Sequence, residues 1–166
     1  EADGLMTDLP GVALIVYSAD CIPILFYDPV RRVIAAVHAG WRGTAAGIAT
    51  AAVQRMESVY GSERGDILAA IGPGIGPDCF ETHEDVPNAM TAALSTAVLQ
   101  HIKIKENGKF AVDLKAINAM RLEQAGLEPA HIAVSDLCTA CHPEKFWSHR
   151  IQGTNRGSMA AVIQLQ

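Results

Sequence analysis

The sequence predicts one α/β domain over residues 1–166, built on a mixed β-sheet flanked by helices. Short, nearly continuous apolar runs recur along the chain, as in strands that are covered on both faces. Segments with helical periodicity separate these runs, which is typical of the α/β class. Hydrophobic residues make up 49% of the chain and charged residues only 19%, so a packed interior is expected rather than a disordered or repetitive chain.

The strands are predicted from apolar runs that end at turn residues. In chain order they are 11–17, 22–27, 33–37, 67–71, 131–134 and 159–165. A turn at 28–32 joins the second strand to the third. Alternation around Asn107-Gly108 predicts a hairpin over 101–110, because Asn-Gly favours the tight turns of hairpins.

Three helices are predicted, at 45–59, 85–99 and 113–125. The first is rich in alanine and carries its apolar residues on one stripe. Residues 40–44, Gly-Trp-Arg-Gly-Thr, are predicted to form a tight strand-to-helix turn, with Thr44 as a candidate N-cap of that helix. The third helix is expected to end at Gly126, in the manner of a glycine C-cap.

The charge and hydropathy patterns exclude several classes of partner. The net charge is −5 and no Lys/Arg stripe is present, so nucleic acid is not an expected partner. No apolar run approaches the ~20 residues that a membrane-spanning helix needs, and no segment resembles a signal peptide. With its four cysteines expected to be reduced, the protein is predicted to be cytoplasmic. The chain begins at Glu1 without an initiator methionine, so an upstream segment is expected.

Cys21 and His38 are the first candidate site residues. They lie 17 residues apart at the ends of successive predicted strands, so adjacent strands could bring them face to face. Thiolate and imidazole are good zinc ligands, but catalytic zinc usually takes three protein ligands, and a third must come from elsewhere. A buried cysteine is also a common apolar filler, and a lone histidine a common core residue. The ionisable Asp20 and Arg42 beside them favour a functional site, because charges gathered at strand ends are costly without a purpose.

The loop at 72–77 contains three glycines and two prolines. Its glycines leave backbone amides open to an anion, which makes Gly74 a candidate substrate-binding residue together with Asp20 and Arg42. The loop lacks the Lys-Ser/Thr ending of a Walker motif, so a nucleoside triphosphate is not indicated. A plain turn is the simpler interpretation of this pattern.

Cys138 and Cys141 form a C-x-x-C pair that is followed by His142. The pattern matches c-type haem attachment and also half of a zinc ribbon. Haem attachment would need export and a ribbon would need a second C-x-x-C pair, so a role in loop structure is favoured.

Four blocks of the sequence together resemble the laccase-domain family, also called the YfiH-like or peptidoglycan editing factor family and formerly described as polyphenol oxidases. They are SADCIPILFYDP, AAVHAGWRGTAAGI, IGPGIGPDCFE and DLCTACHPEKFWSHR, in that order. The likeness covers nearly the whole chain, and the ADC and HAGWRG motifs are highly specific. It implies a single α/β/α-type domain of which this chain lacks the N-terminal portion.

The resemblance implies a zinc site made of the cysteine of ADC, the histidine of HAGW and a histidine in an upstream QVH motif. Cys21 and His38 match the first two, and an upstream segment of the same protein is expected to supply the third. The implied activity is phosphorolysis of adenosine, inosine and methylthioadenosine, together with deamination of adenosine. Arg42, at the head of the predicted 45–59 helix, is assigned to phosphate. Cys21, His38 and Arg42 are thus the predicted catalytic residues.

Two other functions stay open. The older family name implies copper-dependent oxidation of phenols, and cysteine and histidine ligands also bind Cu²⁺. A role in correcting peptidoglycan precursors would instead use Cys21 as a nucleophile and His38 as its base.

The chain departs from the family pattern in two places. The sequence F-E-T-H at 80–83 stands where relatives often read F-E-V-G, and Arg156 lies two places from the usual arginine. The role of Arg156 and the preferred nucleoside are therefore left open.

Overall fold

The computed structural model describes residues 2–94 and 96–166, and ten strands and five α-helices are found in this part of the chain. The strands are β1 (Gly4–Thr7), β2 (Ala13–Ser18), β3 (Ile22–Asp28), β4 (Val33–Ala39), β5 (Leu68–Ile71), β6 (Glu81–Thr82), β7 (Ile102–Ile104), β8 (Phe110–Val112), β9 (Ile132–Val134) and β10 (Met159–Gln164). The helices are α1 (Trp41–Ala45), α2 (Ile48–Tyr60), α3 (Asp85–Leu94), α4 (Leu114–Gln124) and α5 (His149–Gln152). Within the described part, none of the helices combines the length and the apolar character of a membrane span.

A five-stranded mixed sheet forms the centre of the fold. Its strand order is β1-β4-β3-β5-β9, and neighbouring strands are antiparallel except for the parallel pair β5 and β9. Residues of α2, α3 and α4 join one face of this sheet in the main hydrophobic core. The other face carries a two-stranded antiparallel ribbon of β2 and β10, and β6, β8 and β7 form a separate small sheet. The predicted mixed α/β fold with flanking helices is confirmed.

The continuous apolar run of β4 is explained by its place in these layers. Val33 and Val37 belong to the core that packs with the helices, whereas Ile34 and Ala36 pack with the β2–β10 ribbon. Burying a Val or Ile side chain fully is worth about 1.5–3 kcal/mol, so both faces anchor the strand firmly. The strand that carries His38 is therefore a rigid element.

β2 differs from the strand predicted at 11–17. Its side chains alternate, with Leu14 and Val16 buried while Ile15 is 39% and Tyr17 is 65% exposed. In the part of the chain that the structure describes, this strand pairs with β10 alone, and one of its faces meets the core. An apolar run here does not mean burial on both faces.

The helix predicted at 45–59 begins later, at Ile48. Gly47 has a φ of 75°, a conformation that residues with a side chain rarely adopt, and it separates α1 from α2. Thr44 is not an N-cap: it is buried within α1, and its hydroxyl accepts a hydrogen bond from Asn118 Nδ2 at 3.0 Å. The tight turn predicted at this point is thus a short helix.

The helices predicted at 85–99 and 113–125 are both present, and the first of them is shorter than predicted. α3 ends at Leu94, and a 3₁₀ helix follows at Thr96–His101, where the prediction continues the α-helix to residue 99. Residue 95 of that predicted helix lies outside the described residues. Gly126, with a φ of 97°, follows the end of α4 as predicted. The hairpin is formed by β7 and β8, and β1 and α5 are elements that the sequence patterns did not predict.

Candidate functional site

Asp20 is buried at the corner between β2 and β3. Its φ is 83°, a left-handed conformation that is strained for a residue with a side chain. Its Oδ1 accepts a hydrogen bond from Thr139 Oγ1 at 2.6 Å. Its Oδ2 accepts from Ser148 Oγ at 3.0 Å and from the backbone N–H of Arg150 at 2.7 Å. These bonds offset the strain and fix the backbone beside Cys21. Because both oxygens already have protein donors, the substrate contact of Asp20 stays a prediction.

Cys21 and His38 lie at the same end of the five-stranded sheet. Pro23 is opposite His38 in the antiparallel pair of β3 and β4, so Cys21, two residues before Pro23, is on the same side of the sheet as His38. A Cβ on Gly40 would lie 3.2 Å from Cys21 Sγ and 3.6 Å from His38 Cε1. The missing side chain of Gly40 thus leaves one space that both the sulfur and the ring can reach. The structure brings the two residues together, and their role as metal ligands stays a prediction.

The surroundings of Cys21 disfavour its thiolate. Burial is the main cause that raises the pKa of this thiol, and the Asp20 carboxylate raises it further, against a lowering by Arg156. Such a thiol is a weak nucleophile at neutral pH unless a cation stabilises its anion. His38 Nδ1 lies 3.5 Å from Asp3 Oδ1, so an exposed carboxylate is placed to orient the ring.

The donor set of Cys21 and His38 fits a metal ion in part. One sulfur and one nitrogen suit zinc or copper. Among the residues that the structure describes, no third His, Cys, Asp or Glu completes a cluster of ligand atoms with them. The pair therefore holds a catalytic metal ion only with a further ligand.

A cavity of about 250 Å³ lies beside Cys21. Trp41 and Phe80 give it aromatic walls, and His149 and Arg156 give it polar and charged ones. Apolar walls with a few polar groups are typical of sites for small ligands. The sequence left the role of Arg156 open and did not indicate Phe80 or His149 as site residues. His149 and Arg156 reach the cavity from the far end of the chain, on α5 and the loop after it, and Phe80 reaches it from the loop before β6.

Arg156 reaches this cavity despite its shifted position in the sequence. Its Nε donates to His149 Nδ1 at 3.3 Å, and its Nη1 donates to the carbonyl of Gly157 at 3.1 Å. Its charge also acts on the thiol of Cys21. Arg156 is therefore a cation of the candidate site.

Arg42 and Gly74 do not line the 250 Å³ cavity. Arg42 is exposed in α1, where its guanidinium carbon lies 4.2 Å from the centre of the Trp41 ring. The prediction that Arg42 lies at the head of the long helix is wrong, because the short helix α1, which contains Arg42, precedes α2. Gly74 is buried against Ile22 and the carbonyl of Asp20, which a Cβ would approach to 3.0 Å. Contacts of Arg42 and Gly74 with a substrate stay predictions.

A second group of side chains, which the sequence analysis did not predict, gathers three cysteines. The sulfur atoms of Cys79, Cys138 and Cys141 all lie within 4.8 Å of one another. Cys79 comes from a loop 62 residues before Cys141, and their sulfur atoms are 3.4 Å apart. The three residues, here named the tri-cysteine cluster, line a cavity of about 700 Å³. The C-x-x-C pair alone gave no indication of the third cysteine.

Known proteins resemble this chain over its whole length. A sequence profile described as "Multi-copper polyphenol oxidoreductase laccase" matches residues 1–166. The purine nucleoside phosphorylase YlmD of Geobacillus stearothermophilus is 39% identical over 161 residues, which cover 97% of this chain and 59% of that protein. The adenosine deaminase RL5 of an unknown prokaryotic organism is 38% identical over 155 residues, which cover 93% of this chain and 59% of that protein.

The fold is shared with a solved structure. The crystal structure of YlmD from Geobacillus stearothermophilus matches with a TM-score of 0.95 at 38% identity, over 100% of this chain and 62% of that one. This chain therefore spans 59% to 62% of the length of these relatives. Since the profile covers every residue and the fold agrees, the chain belongs to the multi-copper polyphenol oxidoreductase laccase family.

Proposed function

We propose that the protein carrying this chain is a cytoplasmic, zinc-dependent enzyme of purine nucleosides. It cleaves adenosine, inosine and methylthioadenosine with phosphate, and it deaminates adenosine. Relatives named purine nucleoside phosphorylase and adenosine deaminase support this activity. The observation that carries the proposal is the approach of Cys21 and His38 to one space beside Gly40. The 250 Å³ cavity next to Cys21 provides room for a small ligand.

Cys21 Sγ and a ring nitrogen of His38 would hold the zinc ion, with the third ligand from a histidine of an upstream segment. Zinc, when bound, lowers the pKa of a coordinated water towards 7 and so supplies the nucleophile that deamination needs. Asp3 orients the His38 ring through its contact with Nδ1. A divalent cation also offsets the burial and the Asp20 charge that disfavour the Cys21 thiolate.

The walls of the cavity suit the other parts of the substrates. Trp41 and Phe80 offer aromatic surface to a purine ring. Arg156 lies in the lining and is a candidate for binding phosphate, since guanidinium groups match phosphate geometry. Arg42, exposed over the Trp41 ring, is the second candidate for this role.

The test is turnover of adenosine by the full-length protein. With zinc and phosphate present, we expect adenine and inosine to form, as measured by chromatography. Cys21→Ala and His38→Ala should abolish both products, whereas His83→Ala, at an exposed histidine, should retain them. Retained activity in His38→Ala would place the site elsewhere, and no turnover in the wild-type protein would count against the proposal.

The phosphate contact can be assigned by comparing arginines. Hydrogen bonds to charged groups are worth about 1.5–3 kcal/mol, so loss of the binding arginine should raise the KM for phosphate about tenfold or more. Arg156→Ala and Arg42→Ala are compared with Arg55→Ala, which removes an exposed arginine from α2. An unchanged KM in both of the first two variants would remove these residues from the site.

Copper-dependent oxidation of phenols is a second candidate, which the description of the matched profile favours. Coupling this oxidation to the reduction of oxygen needs several coppers and many histidine ligands. The chain has six histidines, and among the described residues none belongs to a cluster of three metal-ligand atoms. Metal analysis of unsupplemented protein, with phenol oxidation assayed after zinc or copper loading, separates this function from the first.

The use of Cys21 as a nucleophile in correcting peptidoglycan precursors has less support. The raised pKa of the Cys21 thiol lowers the fraction of reactive thiolate at neutral pH. Rapid alkylation of Cys21 by iodoacetamide, with no dependence on a chelator, would favour this function over a metal site.

A further inference from the structure

The tri-cysteine cluster lies where two loops are hydrogen-bonded to each other. Gly74 and Cys138 form a parallel β-bridge, and Thr139 N donates to the carbonyl of Gly74 at 3.1 Å. The first of these loops continues to Cys79, and the second continues to Cys141. The backbone thus holds the cysteines together by contacts that do not involve their sulfur atoms.

Cys138 is surrounded by backbone N–H groups. Gly76 N donates to Cys138 Sγ at 3.1 Å. A Cβ on Gly76 would lie 3.2 Å from Cys138 Cβ and 3.3 Å from its Sγ, so the glycine leaves room for the sulfur. Burial alone raises the pKa of Cys138, but hydrogen bonds from the backbone of Gly76, Cys141 and Ala140 outweigh it and lower the pKa below its usual value. Such donors stabilise a thiolate, which is the form that binds metals. Burial and the neighbouring thiols of Cys141 and Cys138 instead raise the pKa of Cys79 to about 12, so the thiolate of Cys79 needs the charge of a bound ion.

We propose that Cys79, Cys138 and Cys141 bind one zinc ion in a site separate from Cys21 and His38. Zn–S bonds of about 2.3 Å place tetrahedral sulfur ligands under ~4 Å apart, close to the spacing of these atoms. The 3.4 Å between Cys79 Sγ and Cys141 Sγ is too long for a disulfide, whose bond is about 2.0 Å, and fits a shared ion. Thiolates are also the ligands that zinc and softer ions select.

The fourth position of the ion faces the 700 Å³ cavity. All three cysteines line this cavity, and Cys141 is exposed. A water molecule there completes the tetrahedral set that zinc requires. The proposed site thus has three protein ligands and one open position.

A zinc ion in this cluster would also act on the loop that contacts Asp20, whatever its open position binds. Thr139 lies between Cys138 and Cys141 in sequence, and its hydroxyl donates to the buried Asp20 at 2.6 Å. An ion bound by the flanking cysteines holds this loop in place and thereby supports the corner before Cys21. The inference does not depend on the proposed nucleoside activity, because the site would bind zinc whatever reaction takes place beside Cys21.

The test uses the chain with Cys21→Ser, which removes the sulfur of the other candidate site. Protein purified under reducing conditions is analysed for zinc and titrated with Cd²⁺, whose ultraviolet charge-transfer band reports the number of bound thiolates. We expect one ion per chain, three thiolates per ion and a higher midpoint of thermal unfolding. Adding Cys141→Ser should weaken Cd²⁺ binding about a hundredfold or more. This residue is exposed, so its replacement is expected to leave the fold intact, as circular dichroism can check.

The matched control adds Lys145→Ser, at an exposed residue of the same loop region, and should bind Cd²⁺ unchanged. Absence of a charge-transfer band with stoichiometric Cd²⁺ would overturn the proposal. Equal affinity in the Cys141→Ser and Lys145→Ser proteins would also overturn it. A disulfide between Cys79 and Cys141 that persists under reducing conditions, detected as a mass lower by two hydrogens, would show an oxidised pair in place of a metal site.

Discussion

The Cys21–His38 pair and the tri-cysteine cluster both gather possible metal ligands, but the chain assembles them in different ways. Cys21 and His38 are placed by two strands that are consecutive in sequence and fully paired from Ile22 with Ala39 to Asp28 with Val33. The tri-cysteine cluster joins loops that are 62 residues apart in sequence. Local pairing thus builds one site, and long-range loop contacts build the other.

The difference predicts which substitutions affect each site. The β3–β4 pair is buried on both faces, so the relative position of Cys21 and His38 depends on the core. The loops of the tri-cysteine cluster are held instead by the backbone bridge of Gly74 with Cys138 and by buried polar groups such as Asp20 and Lys115. Substitutions of these polar groups should therefore loosen the cluster before they disturb the strand pairing.

The largest effect is expected for Asp20→Ala. The substitution leaves the buried hydroxyls of Thr139 and Ser148 and the backbone N–H of Arg150 without their acceptor, and alanine tolerates a φ of 83° poorly. We expect the free energy of unfolding to fall by about 3–4 kcal/mol. Denaturant unfolding measures this change, with the exposed Asp8→Ala as control. A loss below about 1 kcal/mol would contradict the role of Asp20 as the link between the two sites.

Lys115→Met tests the loop contacts without removing a candidate metal ligand, although Lys115 lines the 700 Å³ cavity. Lys115 is buried on α4, and its Nζ donates to the carbonyls of Ser135 at 2.7 Å and Leu137 at 2.9 Å. Hydrogen bonds to charged groups contribute about 1.5–3 kcal/mol, so we expect a loss of about 2 kcal/mol. Hydrogen exchange should speed up at 135–142 and stay unchanged in β3 and β4. Lys103→Met, at an exposed lysine, is the control. Equal acceleration of hydrogen exchange in β3 and β4 would contradict the proposed difference between the loops and the strand pair.

The sequence predicted the central strands because their determinants are local. The turn at 28–32 is fixed by Asp28, whose Oδ1 accepts hydrogen bonds from the backbone N–H groups of Val30 at 2.8 Å and Arg31 at 2.9 Å. Once this turn is placed, the approach of Cys21 and His38 at the same end of the sheet follows from the register, in which Pro23 is opposite His38. The prediction that the strand at 11–17 is covered on both faces was wrong, since an apolar run does not reveal whether a second layer covers the outer face of β2.

The sequence predicted only those parts of the site that come from segments close together along the chain. No periodicity indicates that Cys79 meets Cys141, or that Arg156 and His149 return to the cavity beside Cys21. These approaches depend on the packing of loops, and loops carry few patterns that predict their path. The prediction that Thr44 is an N-cap was wrong for a related reason, since its buried hydrogen-bond partner Asn118 lies on the distant helix α4.

Gly74→Ala should have an effect similar in size to that of Lys115→Met, at the point where the two regions touch. A Cβ at Gly74 would meet the side chain of Ile22 and would lie 3.0 Å from the carbonyl of Asp20. Overpacking of this kind typically costs about 1–3 kcal/mol, and we expect about 2 kcal/mol in denaturant unfolding. Gly65→Ala is the matched control, because a Cβ there meets no atom within 4 Å. Equal stability of the two variants would show that the loop can move away from β3 freely.

The smallest effect is expected in the reactivity of the cysteines of metal-free protein. Burial and the Asp20 carboxylate raise the pKa of Cys21 above its ordinary value of 9.0, so its thiolate forms only at higher pH. Because the thiolate is the form that reacts, alkylation by iodoacetamide at pH 7.5 should be slower at Cys21 than at a free thiol. Its rate should continue to rise above pH 9 instead of levelling off there. The exposed Cys141 should react first, as peptide mass mapping can measure. After chelator treatment, the tri-cysteine cluster should therefore be alkylated before Cys21. Faster alkylation of Cys21 than of Cys141 would reverse the comparison, since it would make the buried thiol at the strand end the more reactive one.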